Sequence, residues 1–167
     1  TGVQTCALPI SLRRVNVGSQ VSGTVKELYA DFNSIVRAGQ LLAEIDPTQL
    51  QVQVSVQQAN VERMKADIAS QEMQLDDQRR QFERATQMHE RGLQTDQQFE
   101  AAELAIKNRQ AQIVSLRKQL VQAQANLSAA QLKVDQTRIY SPIDGVVIQR
   151  RVSVGQTVQA SMTTPTF

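Results

Sequence analysis

The sequence predicts an α+β protein in which one small β domain is split in two and a long antiparallel α-hairpin is inserted between the halves. Three observations predict it. Residues 48–136 contain no proline and a single glycine, Gly92, in a run rich in Gln, Ala, Glu, Arg and Lys, residues that favour helix. Within that run apolar side chains recur at intervals of seven, the period of a coiled coil. On either side stand short β-branched stretches punctuated by glycine, and the two flanks repeat one another.

The first ten residues, Thr1–Ile10 (TGVQTCALPI), share neither pattern nor composition with the rest. The string resembles a translated sequencing adapter, so residues 1–11 are read as a non-native leader and left out of fold reasoning. Cys6, the one cysteine, falls within it. The remainder has no thiol, which excludes disulfides and thiolate metal sites there.

The first β half is expected at 13–47, with strands around Val21-Ser22-Gly23-Thr24-Val25 and Leu41–Ile45 and a turn at Arg37-Ala38-Gly39-Gln40. Asp46-Pro47-Thr48 then offers a helix cap. The hairpin is expected at 48–137, with its turn near 88–94. On its first helix Val54, Val61, Ile68, Leu75 and Phe82 form one heptad series, accompanied by Met64, Gln71, Gln78 and Ala85. On its second, Phe99, Ile106, Ile113, Leu120, Leu127 and Val134 run beside Ala102, Arg109, Leu116, Ala123 and Ala130. The connection at Gly92 is short, so the helices fold back on each other.

Folding about Gly92 sets Phe82 opposite Ala102, Ile68 opposite Leu116 and Val61 opposite Ala123, so that several layers pair a large residue with a small one. Leu75 then faces Arg109, whose stem is expected to lie along the seam while its guanidinium reaches solvent. Thr95, with Gln98 three residues on, makes a capping box for the second helix. Ser141-Pro142 is the expected stop. The second β half is expected at 138–162, with strands at Ile143–Val147 and Val152–Val158, and 163–167 begins a downstream region.

Composition narrows the function. Only 4% of the 167 residues are aromatic and none is Trp, so the apolar residues serve a thin, repetitive core. Eighteen basic against sixteen acidic residues leave a net charge of +2, with no basic block longer than a pair. Nothing in that balance calls for nucleic acid or an anionic membrane surface as partner.

The half-repeats carry a resemblance. Gly-x-Val followed by Val-x-x-Gly-Gln in each half resembles the biotinyl/lipoyl fold, a flattened β-sandwich of two similar four-stranded halves. That sandwich split by an α-hairpin is similar to the membrane fusion, or periplasmic adaptor, family of the HlyD type. The stretches Val17–Gly23, Glu44–Pro47, Thr137–Gly145 and Gly155–Ser161 are most similar to its macrolide-exporter branch.

The resemblance implies a non-enzymatic adaptor with no cofactor. It would couple an inner-membrane transporter of the ABC type to an outer-membrane channel protein, in the periplasm, anchored to the inner membrane, as a hexamer. It also implies a docking site at the hairpin tip, where the family carries Arg, Leu four positions on and Ser seven further. Here those positions are Arg84, Met88 and Thr95, of which only the arginine is identical. On the residues alone, Arg84 reads as a solvated helix residue, Met88 as the end of the seam and Thr95 as an N-cap.

Two other classes are weighed against this one. A lipoyl or biotinyl carrier needs a modified lysine at an exposed hairpin turn; Lys26 lies within an expected strand, and the second half-repeat has no lysine. A coiled-coil scaffold with unrelated partners explains the heptads but not the half-repeats. No catalytic or metal set emerges. His89, the one histidine, lacks partner ligands, and Asp76-Asp77 point about 100° apart on a helix and do not converge.

Overall fold

The computed structural model describes residues 14–93 and 95–160. The leader at 1–11, with Cys6, and the downstream stretch 163–167 lie outside the described residues. The chain divides into two compact units: residues up to Pro47 together with those from Gln136 onward, and Thr48–Asp135.

The first unit is all β. Strands β1 (Gly23–Leu28), β2 (Ile35–Val36) and β3 (Leu41–Ile45) come from the first half, and β4 (Arg138–Tyr140), β5 (Gly145–Val146) and β6 (Thr157–Val158) from the second. They form a four-stranded sheet in the order β4-β3-β1-β6 and a two-stranded sheet β2-β5. Each sheet therefore takes strands from both halves. Val25 pairs with Ile45, Gly23 with Val158, and Ile35 with Val146, all antiparallel. Neither half can close a sheet alone, which is why the hairpin can interrupt the chain without dividing the domain.

Val21, Val25, Ala43, Ile45, Ile139, Val152 and Val158 make the core of this unit. Gly23 is required by a close approach: a Cβ there would stand 2.5 Å from Cγ2 of Ile45. Ser19 turns its hydroxyl back onto the Val21 carbonyl, so its burial leaves no open polar group.

Several expected boundaries shift. The strand placed at Val21–Val25 starts at Gly23 and runs on to Leu28, so Lys26 lies in β1. Val152–Val158 shortens to Thr157–Val158, because Val154 and Gly155 turn: Gln156 N–H donates to Ser153 O at 3.1 Å, and Gly155 has φ +81°. The second helix ends at Asp135, well before Pro142. There the Thr137 carbonyl accepts the Ile45 amide at 2.9 Å, and Arg138–Tyr140 pair with β3, so sheet pairing claims the chain before proline does.

The second unit consists of α1 (Thr48–Glu90) and α2 (Asp96–Asp135), 43 and 40 residues long, or about 60 Å each at 1.5 Å per residue. Every heptad position named above is buried or half-buried. Val61, Ile68 and Leu75 on α1 and Ile113 and Ala123 on α2 are buried outright. Arg109 departs from expectation. Its Nη1 donates to Gln71 Oε1 on the other helix at 2.5 Å, since a donor at a half-buried seam position is better satisfied by a facing amide than left to solvent. The outer faces carry spaced ion pairs such as Arg63–Asp67 and Lys107–Glu103.

Candidate functional site at the hairpin turn

The turn joining the helices is built by local hydrogen bonding. Leu93 N–H donates to the Met88 carbonyl and Gly92 N–H to the His89 carbonyl, each at 2.9 Å. That pair of bonds is a Schellman motif with Gly92 as its left-handed residue, φ +70°. It requires glycine because an L side chain is strained at that φ. Across the turn, the Thr95 carbonyl accepts the amides of Gln98 at 3.1 Å and Phe99 at 3.2 Å, which makes Thr95 the N-cap of α2.

The three residues singled out in the sequence all fall at this end of the hairpin. Arg84 and Met88 lie four apart near the end of α1, hence on one face, and both are exposed. Met88 is 54% exposed although it is a large apolar side chain. Thr95 is exposed on the opposite side of the turn. Together they present a cation, an apolar chain and a hydroxyl at the end of a two-helix rod.

Two further features were not singled out beforehand. Leu93 is 73% exposed and occupies the position after the Schellman glycine, so the turn end carries a second apolar side chain. Gly92 signals a motif whose next residue commonly packs on the last helical turn, but Leu93 stays largely exposed instead. Behind these residues the end is closed by aromatic packing. Phe82 meets Phe99 at 5.2 Å between centroids, and the His89 ring stacks on Phe99 at 4.8 Å and 15°. His89 Nε2 stands 3.6 Å from Asp96 Oδ1 at the start of α2.

Catalytic chemistry has little to work with among the described residues. No group of three or more His, Cys, Asp or Glu is placed to hold a metal ion. Asp76 is bound by Arg80, and Asp77 accepts Gln81 Nε2 at 2.8 Å, so the two carboxylates are separately satisfied on a solvated face. The β unit has a half-open cleft of about 630 Å³ lined by Val17, Val36, Leu42, Ile143 and Val147, with Arg14, Ser141, Asp144 and Arg150 as polar members. Three of these four are turned to their own structure: Ser141 donates to Ile143 O at 2.7 Å, Asp144 accepts Ala38 N–H at 2.7 Å, and Arg150 pairs with Asp31 at 3.1 Å. The hydrogen bond from the Tyr29 hydroxyl to the Glu27 carboxylate, 2.6 Å, is the main cause that pushes this tyrosine up to about 12. It sits exposed just past the end of β1.

Comparison with known proteins fits this arrangement. The family described as RND MFP, barrel-sandwich hybrid domain, matches residues 13–167. The chain is similar to the macrolide export protein MacA of Yersinia pestis, 33% identical over 157 residues that cover 93% of this chain and 42% of that protein. It is also similar to the pyoverdine export membrane fusion protein PvdR of Pseudomonas aeruginosa, 34% identical over 153 residues, 92% of this chain and 39% of that one. A crystal structure of MacA from Actinobacillus actinomycetemcomitans superposes with a TM-score of 0.86 at 30% identity, covering 93% of this chain and 48% of that one. The chain thus spans less than half the length of these relatives.

Proposed function

Because this chain belongs to the RND membrane fusion protein family, whose barrel-sandwich hybrid domain it carries over residues 13–167, we propose that it is part of a periplasmic adaptor of a tripartite efflux or secretion system. The adaptor links an inner-membrane exporter of the ABC type to an outer-membrane channel protein, and works by assembly without catalysis. One observation carries the reading. The likeness to the MacA crystal structure, TM-score 0.86, extends over 93% of this chain, so it takes in both the β unit and the hairpin. A coiled-coil scaffold accounts for the hairpin but leaves the interlocked sheets without a role.

In this reading Arg84, Met88 and Thr95 dock onto the channel protein. The physical support is their placement. An apolar side chain held at the end of a rod by a hydrogen-bonded turn, with a cation and a hydroxyl beside it, suits insertion between the helix ends of a partner. Several copies, six as the family resemblance implies, line their hairpins side by side. The adaptor sits in the periplasm, held at the inner membrane. No helix among the described residues is long and apolar enough to cross a membrane, so the hairpin itself is not that hold. The cargo differs between relatives, macrolides for one and pyoverdine for another, and is left unassigned.

The test is photo-cross-linking in vivo from a reactive residue at position 88 of the full-length parent protein. The expected product is a covalent adduct with an outer-membrane channel protein, lost on Arg84→Asp. Adducts confined to other copies of the chain or to cytosolic proteins would overturn the docking site and favour the scaffold.

A further inference from the structure

The seam between α1 and α2 is uneven along its length. All its fully buried residues lie in a stem formed by 48–75 against 113–135: Val61 at 3% exposure, Ile68 at 7% and Leu75 at 8% on α1, and Ile113 at 3% and Ala123 at 4% on α2. Among the described residues of 76–112, which include both helix ends and the turn, none is buried. The heptad series continues through this distal segment without a break, so periodicity alone does not account for the change.

The boundary coincides with a polar layer. Arg109 occupies an inner heptad position, and its Nη1 donates to Gln71 Oε1 at 2.5 Å and to Gln112 Oε1 at 3.3 Å. Past Leu75, the next inner position on α1 toward the turn is Gln78, whose Oε1 is buried with no hydrogen-bond partner. The orphaned acceptor favours a locally opened state, in which water reaches the polar atoms. Beyond the layer, packing resumes through Phe82, Phe99 and His89.

We propose that the hairpin is made of two cooperatively distinct segments, a stem that stays zipped and a distal segment, 76–112, that opens separately, with the Gln71, Gln78 and Arg109 layer as the point where the helices part. Opening at the layer lets the turn end be displaced without unfolding the stem. This conformational device does not rest on docking: a hairpin that opens in this way need not meet a channel, and a rigid one could still meet it.

Hydrogen–deuterium exchange on the whole chain tests it. The amides of 76–84 and 103–111 are expected to exchange at least tenfold faster than those of 61–72 and 113–123, with a step between Leu75 and Gln78 on α1 and between Arg109 and Ile113 on α2. Equal protection, or a smooth gradient falling from stem to turn as ordinary end fraying gives, would overturn the proposal. Replacing the layer by Gln78→Leu with Arg109→Leu is expected to shrink the step to threefold or less, and an unchanged step in a folded variant would sink the assignment of that layer. If the double variant does not fold, the wild-type profile decides alone.

Discussion

In the β unit, buried side chains from both halves of the chain converge on one core, whereas the hairpin strings its buried side chains singly along two helices. The difference follows from geometry. Strands from four segments surround Ile45 and Val25, which are 0% and 1% exposed, so each contact is shared among several elements. A residue in a two-helix seam has one partner helix and solvent on either side, so even Leu75 keeps part of its surface in water. The β unit is therefore intolerant at single points, and the hairpin is tolerant at each point but dependent on the sum.

Substitutions at one site in each region would sharpen or break that contrast. Ile45→Ala is expected to be the more damaging, costing about 2–5 kcal/mol, because removing a fully enclosed side chain leaves a cavity that neighbouring strands cannot fill. Leu75→Ala is expected to cost about 2 kcal/mol, near the transfer value for the methylenes lost, since an open seam readmits water and keeps no cavity. Urea unfolding of each variant, followed both by methyl resonances of the β unit and by helical circular dichroism, measures the two. Equal costs would mean that the seam is as enclosed as the sheet core, and the comparison would fall.

The same contrast decides what could be read from the sequence. The helices were legible because each heptad series repeats at five or six successive positions, so each of Val61, Ile68 and Leu75 supports the next. The interlocked sheets were legible only as a syntax of glycines and valines. Strands of two or three residues such as Ile35–Val36 and Thr157–Val158 owe their limits to partners on the other side of a long insertion. For the same reason α2 ends earlier than Pro142 alone implies: nothing local near Asp135 announces that Thr137 will bond to Ile45.

At the turn, Arg84, Met88 and Thr95 came from a family resemblance, and their placement at one end of the rod follows from the position of Gly92 in the chain. The exposure of Leu93 and the stacking of His89 on Phe99 depend on three-dimensional details of the turn that periodicity does not encode. The polar layer was half-visible. Gln71, Gln78 and Arg109 stood at inner positions of the series, but the orphaned Gln78 oxygen appears only once the helices are packed.

Electrostatics gives the smallest effect. Arg117 reaches across from α2 to Glu72 at 2.6 Å, but the two side chains are 62% and 44% exposed, so water and salt screen most of their attraction. Arg117→Ala is expected to cost no more than about 1 kcal/mol, and the loss is expected to vanish in the difference between wild type and variant measured at high salt. A larger cost that persisted in salt would show that the arginine stem covers the seam near Leu116 and Leu120 in the manner of an apolar side chain. The hairpin would then owe to long polar side chains the enclosure that the β unit obtains from its strands.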